Sequence, residues 1–427
     1  MKVLVKHKQI IFLLVVLLFS FLFFILLPKV FSSHYLLNSN LGQNSTASSV
    51  SVFVPTYIST PGVVKGIYMT SWTAGSKKLR DALIKLIDET ELNTVVIDIK
   101  DYTGRIAFPI TNPELKAYGS EEVHINDLRD FIESLHKKGI YIIGRIAVFQ
   151  DAYFVKYRPD LAVKNKAGTA VWKDKKGISW IDPGSREYWD YIVLLSKEAR
   201  RIGFDEINFD YIRFPSDGNM QDISYRWSST TPKALVLKEF FSYLHNNLVE
   251  VNINNDSKIS EPTLSVGSPT ASRVGADHRL RISADLFGMT TTAENDMGIG
   301  QVFENTLPYF DYVSPMVYPS HYPPTFEGLK DPEAYPYEVV HSTMQSAVTR
   351  TEAFASTTGQ SLTDYKNKLR PWLQDFGLRM DYGPAEVRAQ IKAINDLGLS
   401  SWLLWSSANK YTRDALESNQ APISNVQ

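Results

Sequence analysis

Eight short runs of near-continuous apolar character recur between residues 63 and 409, each followed by a helical pattern or a long loop. The runs are VVKGIYMTSW (63–72), NTVVIDIKDY (93–102), GIYIIGRIAVF (139–149), GFDEINFDYIRFP (203–215), LRISADLFGM (280–289), YVSPMVYPSHY (312–322), LRPWLQDF (369–376) and SSWLLWSSAN (400–409). Between them, residues 77–91 place Leu79, Leu83, Leu86 and Ile87 on one helical face, and residues 125–138 do the same with Leu128, Phe131, Ile132 and Leu135. Further helices are expected over 185–201, 233–249 and 384–397. Strands that are apolar on both faces belong to a parallel sheet covered by helices. Eight such units over about 350 residues describe an α/β chain folded as a (β/α)8 TIM barrel with insertions. A doubly wound sheet would carry a glycine-rich first turn, whereas TSWTAGSKK (70–78) has neither a GxGxxG nor a Walker lysine pattern.

The N-terminus points to a membrane. Lys2, Lys6 and Lys8 precede an apolar run over residues 10–27 whose one polar member is Ser20, and Pro28 and Lys29 close it without a small-residue cleavage site. That length suffices to cross a bilayer core and exceeds the core of a cleavable signal. The expected organisation is therefore cytoplasmic lysines and a signal-anchor transmembrane helix over residues 1–31, the alternative being a cleaved signal peptide that changes anchoring but not compartment, and a flexible polar linker over 32–61. The barrel domain follows over 62–416, with a loose tail over 417–427. The lysines lie inside, so the chain is expected to be single-pass in a cell membrane with its domain outside the cytoplasm.

Composition removes several function classes. The chain has 45 basic and 46 acidic residues, so no global field draws in nucleic acid. It has no cysteine, which excludes disulfides and thiolate chemistry. The eight histidines form no HxH or HExxH pair, and neither a GxSxG elbow nor a phosphate loop is present. No metal and no cofactor is expected. What remains is carboxylate chemistry.

In a barrel, catalytic groups sit at the C-terminal ends of the strands. The polar residues there are Trp72 after the first strand, Asp98, Lys100 and Asp101 on the second, Arg145 and Asp151 after the third, and Asp210 and Arg213 on the fourth. Asp285 on the fifth, Tyr318 and His321 on the sixth, and Trp405 and Asn409 on the eighth complete the set. Asp98 is open to two readings, a catalytic acid or an internal carboxylate paired with Lys100 or Arg145. Asp101 shapes a turn, and Asp205 and Glu206 stand at the entry of the fourth strand, the stabilising end. Strand alternation points Asn208 and Asp210 inward and Ile207, Phe209 and Tyr211 toward the helices. Trp172, Trp180 and Tyr322 join Trp72, Tyr318 and Trp405 as flat faces on which sugar rings could stack beside hydrogen-bonding acids.

GIYMTSW, VVIDIKDYTGRI, GRIAVFQD, WIDPGSREYW, INFDYIRFPSDG, SADLFG and DYVSPMVYPSHY together resemble a domain-of-unknown-function family grouped with TIM-barrel glycoside hydrolases. The resemblance spans about residues 66–408 and implies a hydrolase directed at a polysaccharide. A more distant likeness links GFDEINFDYIRFP to the fourth-strand DxxDxDxE motif of chitinase-type barrels. Asp205, Asn208 and Asp210 take its first three positions, and Ile212 stands where the family keeps its catalytic glutamate. Tyr318 and Trp405 match as a polar neighbour and an aromatic floor for the reacting sugar. The expected catalytic residues are accordingly Asp210 as nucleophile or stabiliser, with Asp285, then Asp98, then Glu294 as candidates for the acid. Trp72, Lys100, Arg145, Arg213, Tyr318, His321 and Trp405 are the expected binders of a polysaccharide or oligosaccharide substrate. The rival from another class is a non-catalytic carbohydrate-binding barrel at the cell surface, which needs the aromatics but no paired acids.

Overall fold

Strand order follows sequence order around a closed ring. The computed structural model describes residues 53–250 and 279–419. Its parallel strands are β1 (Lys65–Met69), β2 (Thr94–Lys100), β3 (Tyr141–Ala147), β4 (Glu206–Asp210), β5 (Arg281–Phe287), β6 (Tyr312–Met316), β7 (Trp372–Gln374) and β8 (Trp402–Trp405). β8 pairs back onto β1 through Gly66 and Leu403, which closes the TIM barrel. All eight expected apolar runs supply a strand. The crossovers are α1 (Lys77–Glu89), α2 (Leu128–His136), α3 (Arg186–Ile202), α4 (Lys233–His245), α5 (Pro336–Thr358) and α6 (Pro384–Asp396). The apolar faces of these helices cover the outside of the barrel. Ile97, Ile142, Ile207 and Ile282 point outward into this layer and are fully buried. The expected transmembrane segment, residues 10–27, lies outside the described residues. Among the described residues no helix is long and apolar enough to cross a membrane.

The interior is layered from floor to mouth. At the floor, Glu206 and Arg370 form a fully buried ion pair, and Tyr141 donates to Glu206 Oε2 at 3.1 Å. Glu206 thus belongs to the stabilising end as expected, as a barrel-interior carboxylate and not as a turn. Residues 56–60, read from composition as linker, close the floor from below. Thr56 Oγ1 lies 2.8 Å from His136 Nδ1, the Ile58 amide donates to Asp205 Oδ1 at 2.9 Å, and Thr60 donates to the Tyr141 hydroxyl at 3.1 Å. The linker therefore ends earlier than its polar composition suggests, because the Thr56 and Thr60 hydroxyls and the Ile58 amide satisfy buried groups of the barrel. The start of the expected loose tail is also tied down: the Glu417 amide donates to Glu91 Oε1, and Thr90 bridges to Ser418. Above the floor, Val96, Ile143 and Leu403 fill the middle layer. The upper layer is polar.

Candidate active site

Inward parity brings Tyr68 of β1, Asp98 of β2, Arg145 of β3, Asp210 of β4 and Asp285 of β5 to one level at the C-terminal mouth. Arg145 organises them. Its Nη1 donates to Asp98 Oδ1 at 2.5 Å and its Nη2 to Asp210 Oδ2 at 2.5 Å, while its Nε stands 4.0 Å from Asp285 Oδ2. A planar guanidinium can reach three strands at once, which a lysine cannot do. Tyr68 donates its hydroxyl to the other oxygen of Asp98, so that carboxylate is spent on holding Arg145. Sharing one guanidinium keeps the Asp210 and Asp285 carboxyls within about 9 Å of each other, short of the upper limit for paired glycosidase acids.

The two acids differ in surroundings. Asp285 is buried, and its Oδ1 accepts from Asn208 Nδ2 at 2.8 Å and Trp372 Nε1 at 2.8 Å. Burial, followed by the neighbouring charge of Asp210, pushes its pKa up to about 8. Asp285 is therefore mostly protonated at neutral pH. Asp210 has Arg145 on one oxygen and the Tyr211 amide on the other at 2.5 Å. Tyr211 sits at φ 52°, the left-handed region, where a bulky residue is strained by roughly 1–2 kcal/mol. The chain turns sharply there, immediately after the carboxylate.

A cavity of about 190 Å³ opens above this layer. Asp210, Asp285 and Arg145 form its base, and Tyr318, Trp405, Trp372 and His321 line one side. Tyr318 and Trp405 stack with centroids 5.4 Å apart. Arg213, Tyr211 and Phe287 line the other side.

Several expected site residues lie elsewhere. Lys100 is fully buried and pairs with Asp151 at 2.9 Å, donating also to the Ala147 carbonyl, so no substrate reaches it. Its strand parity was inward, but a register irregularity between Asp98 and Lys100 turns it into this sealed pair. Asp151 in addition caps the short helix that follows it. Gly104 is packed so tightly against Asp151 that a Cβ would lie 1.8 Å from its Oδ1, and it adopts φ 83°. The DYTG turn is thus a structural device, with Asp101 accepting from the Thr103 amide as expected of a turn residue. Trp72 is 65% exposed, stacks on His124 and does not line the cavity. Trp172 and Tyr322 are buried, and Glu294 is an exposed loop residue. Asn409 accepts from the Thr70 amide and donates to the Tyr68 carbonyl, tying β8 to β1. Ile212 is fully buried, so the chitinase glutamate position holds core packing. Asn208, the second position of that motif, bonds to Asp285. Trp372 and Tyr68 escaped the sequence reading. The only available signal was a tryptophan at the start of the seventh strand and a tyrosine of inward parity in the first.

A closed parallel barrel whose C-terminal mouth holds two carboxyls in contrasting environments beside an aromatic wall defines a TIM-barrel domain of glycosidase type. The chain belongs to the family described as "Putative glycosyl hydrolase domain", which matches residues 66–263 and 268–411. Among solved structures it is similar to the PgaB (BpsB) glycoside hydrolase domain from Bordetella bronchiseptica. That match has 12% identity and a TM-score of 0.52, covering 83% of this chain and 99% of that one. A hypothetical protein from Ruminiclostridium thermocellum is 33% identical over 43% of this chain and 92% of its own, with a TM-score of 0.40. The glycoside hydrolase domain of PelA from Pseudomonas aeruginosa is 10% identical, covering 82% and 97%, with a TM-score of 0.40. No curated protein sequence matches the chain significantly.

Proposed function

We propose that the chain hydrolyses a glycosidic bond of an extracytoplasmic polysaccharide through the pair Asp210 and Asp285, held outside a membrane by residues 10–27. The observation that carries this reading is the contrast within the pair: one buried carboxyl kept protonated, the other held by Arg145 and a backbone amide. In a glycosidase these are the states of acid and nucleophile before reaction. Asp285 gives its proton to the glycosidic oxygen as the bond to the anomeric carbon breaks. Asp210 either bonds to that carbon and is then displaced by water, or stabilises its positive charge while water adds; in both cases the water gives its proton back to Asp285. Asp98, bonded by Tyr68 and Arg145, positions the guanidinium and takes no proton from substrate. Tyr318 and Trp405 supply a face for the sugar ring. The chitinase route is not followed, because it needs an acid where Ile212 is packed.

Incubation of the full-length chain with a panel of bacterial and plant polysaccharides, with reducing ends counted, tests the proposal. Turnover by the native chain and its loss in both Asp210→Asn and Asp285→Asn are expected. Binding of glycans with no turnover of any would replace the enzyme with the carbohydrate-binding reading.

A further inference from the structure

Arg213 lines the same cavity as Tyr318 and Trp405, and the catalytic scheme above leaves it without a task. It does not hold Asp210; Arg145 does that. Its Nη1 donates to the Phe214 carbonyl and to Ser216 Oγ, both at 3.1 Å. Among the described residues its Nε and Nη2 have no hydrogen-bond partner and no carboxylate lies within ion-pair distance. The acids nearest in charge are Asp210, Asp217 and Asp174. Each is engaged: Asp210 by Arg145, Asp217 by the Lys175 amide, Asp174 by Gln150 and the Trp180 indole. The guanidinium is framed by the rings of Trp180 at 4.9 Å, Phe287 at 5.0 Å and Tyr211 at 5.4 Å. That frame packs on the faces of a half-buried guanidinium. Burial pushes its pKa down, while Tyr211 and the more distant charges of Asp210, Asp217 and Asp174 act in the opposite direction. A neutral sugar seated over it would leave the Nε–Nη2 edge without a charged partner, whereas an anionic one would pair with it directly.

We infer that Arg213 forms an anion subsite within the cavity, which selects glycans bearing a carboxylate on or next to the sugar bound at Asp210 and Asp285. The free Nε–Nη2 edge is one fork, and one fork matches one planar carboxylate bidentately. A sulfate or phosphate ester presents a third terminal oxygen, which would call for further donors that the apolar frame does not offer. The substrate class is then acidic polysaccharide of uronic acid or carboxyalkyl sugar type. This inference rests on the glycosidase reading for its placement beside the reacting sugar, yet it can be tested by binding alone.

The test compares glucuronate, glucose and glucose 6-sulfate as probes of the full-length chain, with affinity read from tryptophan fluorescence or calorimetry. Glucuronate is expected to bind at least tenfold more tightly than glucose. Arg213→Gln is expected to erase that preference and Arg213→Lys to restore part of it, with unfolding curves confirming that both variants fold. Equal binding of glucuronate and glucose, no binding of either, or a preference that survives Arg213→Gln overturns the subsite. Tighter binding of glucose 6-sulfate than of glucuronate overturns the carboxylate assignment. Hydrolysis of neutral polysaccharide without a glucuronate preference removes the subsite and leaves the enzyme. A glucuronate preference without hydrolysis of any glycan supports the subsite and removes the enzyme.

Discussion

Replacing Asp285 by asparagine is expected to make the protein more stable at neutral pH while abolishing its chemistry. Asparagine keeps the shape and lets Oδ1 still accept from Asn208 and Trp372. What changes is the proton. An aspartate has an ordinary pKa of about 4, and burial raises that of Asp285 to about 8. Between these values the folded chain retains a proton that the unfolded chain has released. Stability of the native protein therefore falls as pH rises through that window, by up to about 1.4 kcal/mol per unit, and levels off above the folded pKa. The asparagine variant has no such loss. The stability difference between variant and native protein should consequently widen by roughly 2–3 kcal/mol from pH 5 to pH 7. Urea unfolding at a series of pH values, followed by tryptophan fluorescence, measures it. Parallel stability curves for the two proteins would refute the reasoning, since they would mean that Asp285 ionises in the fold as freely as in the unfolded chain.

On the same basis, kcat/KM for hydrolysis should fall as pH climbs through about 8, where Asp285 loses the proton it must donate; a profile flat to pH 10 would remove it as the acid. Asp210→Asn should lower kcat by on the order of 10³ with little change in KM, measured on whichever polysaccharide the panel identifies. Trp405→Ala should raise KM roughly three- to tenfold through loss of ring stacking, while kcat changes less. At the opposite end of the barrel, Arg370→Met leaves Glu206 buried without its cation and should cost about 3–5 kcal/mol of stability in denaturant unfolding.

The order and parity of the strands were legible because they are local properties. Alternation along GFDEINFDYIRFP is enough to turn Asp210 inward and to place Asp205 and Glu206 at the entry. An apolar residue at position 212 equally excludes a chitinase acid without any coordinates. Which residues of different strands meet is not local. It depends on the stagger of the closed sheet, and that stagger sets Arg145 of β3 between Asp98 of β2, Asp210 of β4 and Asp285 of β5. The same non-local geometry sealed Lys100 against Asp151 and carried Trp372 to Asp285. It also left Trp72 outside the cavity, although Trp72 follows a strand end as directly as the site residues do.

The amino-acid sequence by itself determined a parallel barrel, carboxyl groups at its C-terminal mouth, and Asp210 among them. Tertiary structure decided which partner Asp210 has, which acid keeps its proton, and which cation is left free. The physical reason is that apolar period and strand parity are written every second residue, whereas a pKa and an ion pair depend on burial and on charges brought together from distant parts of the chain.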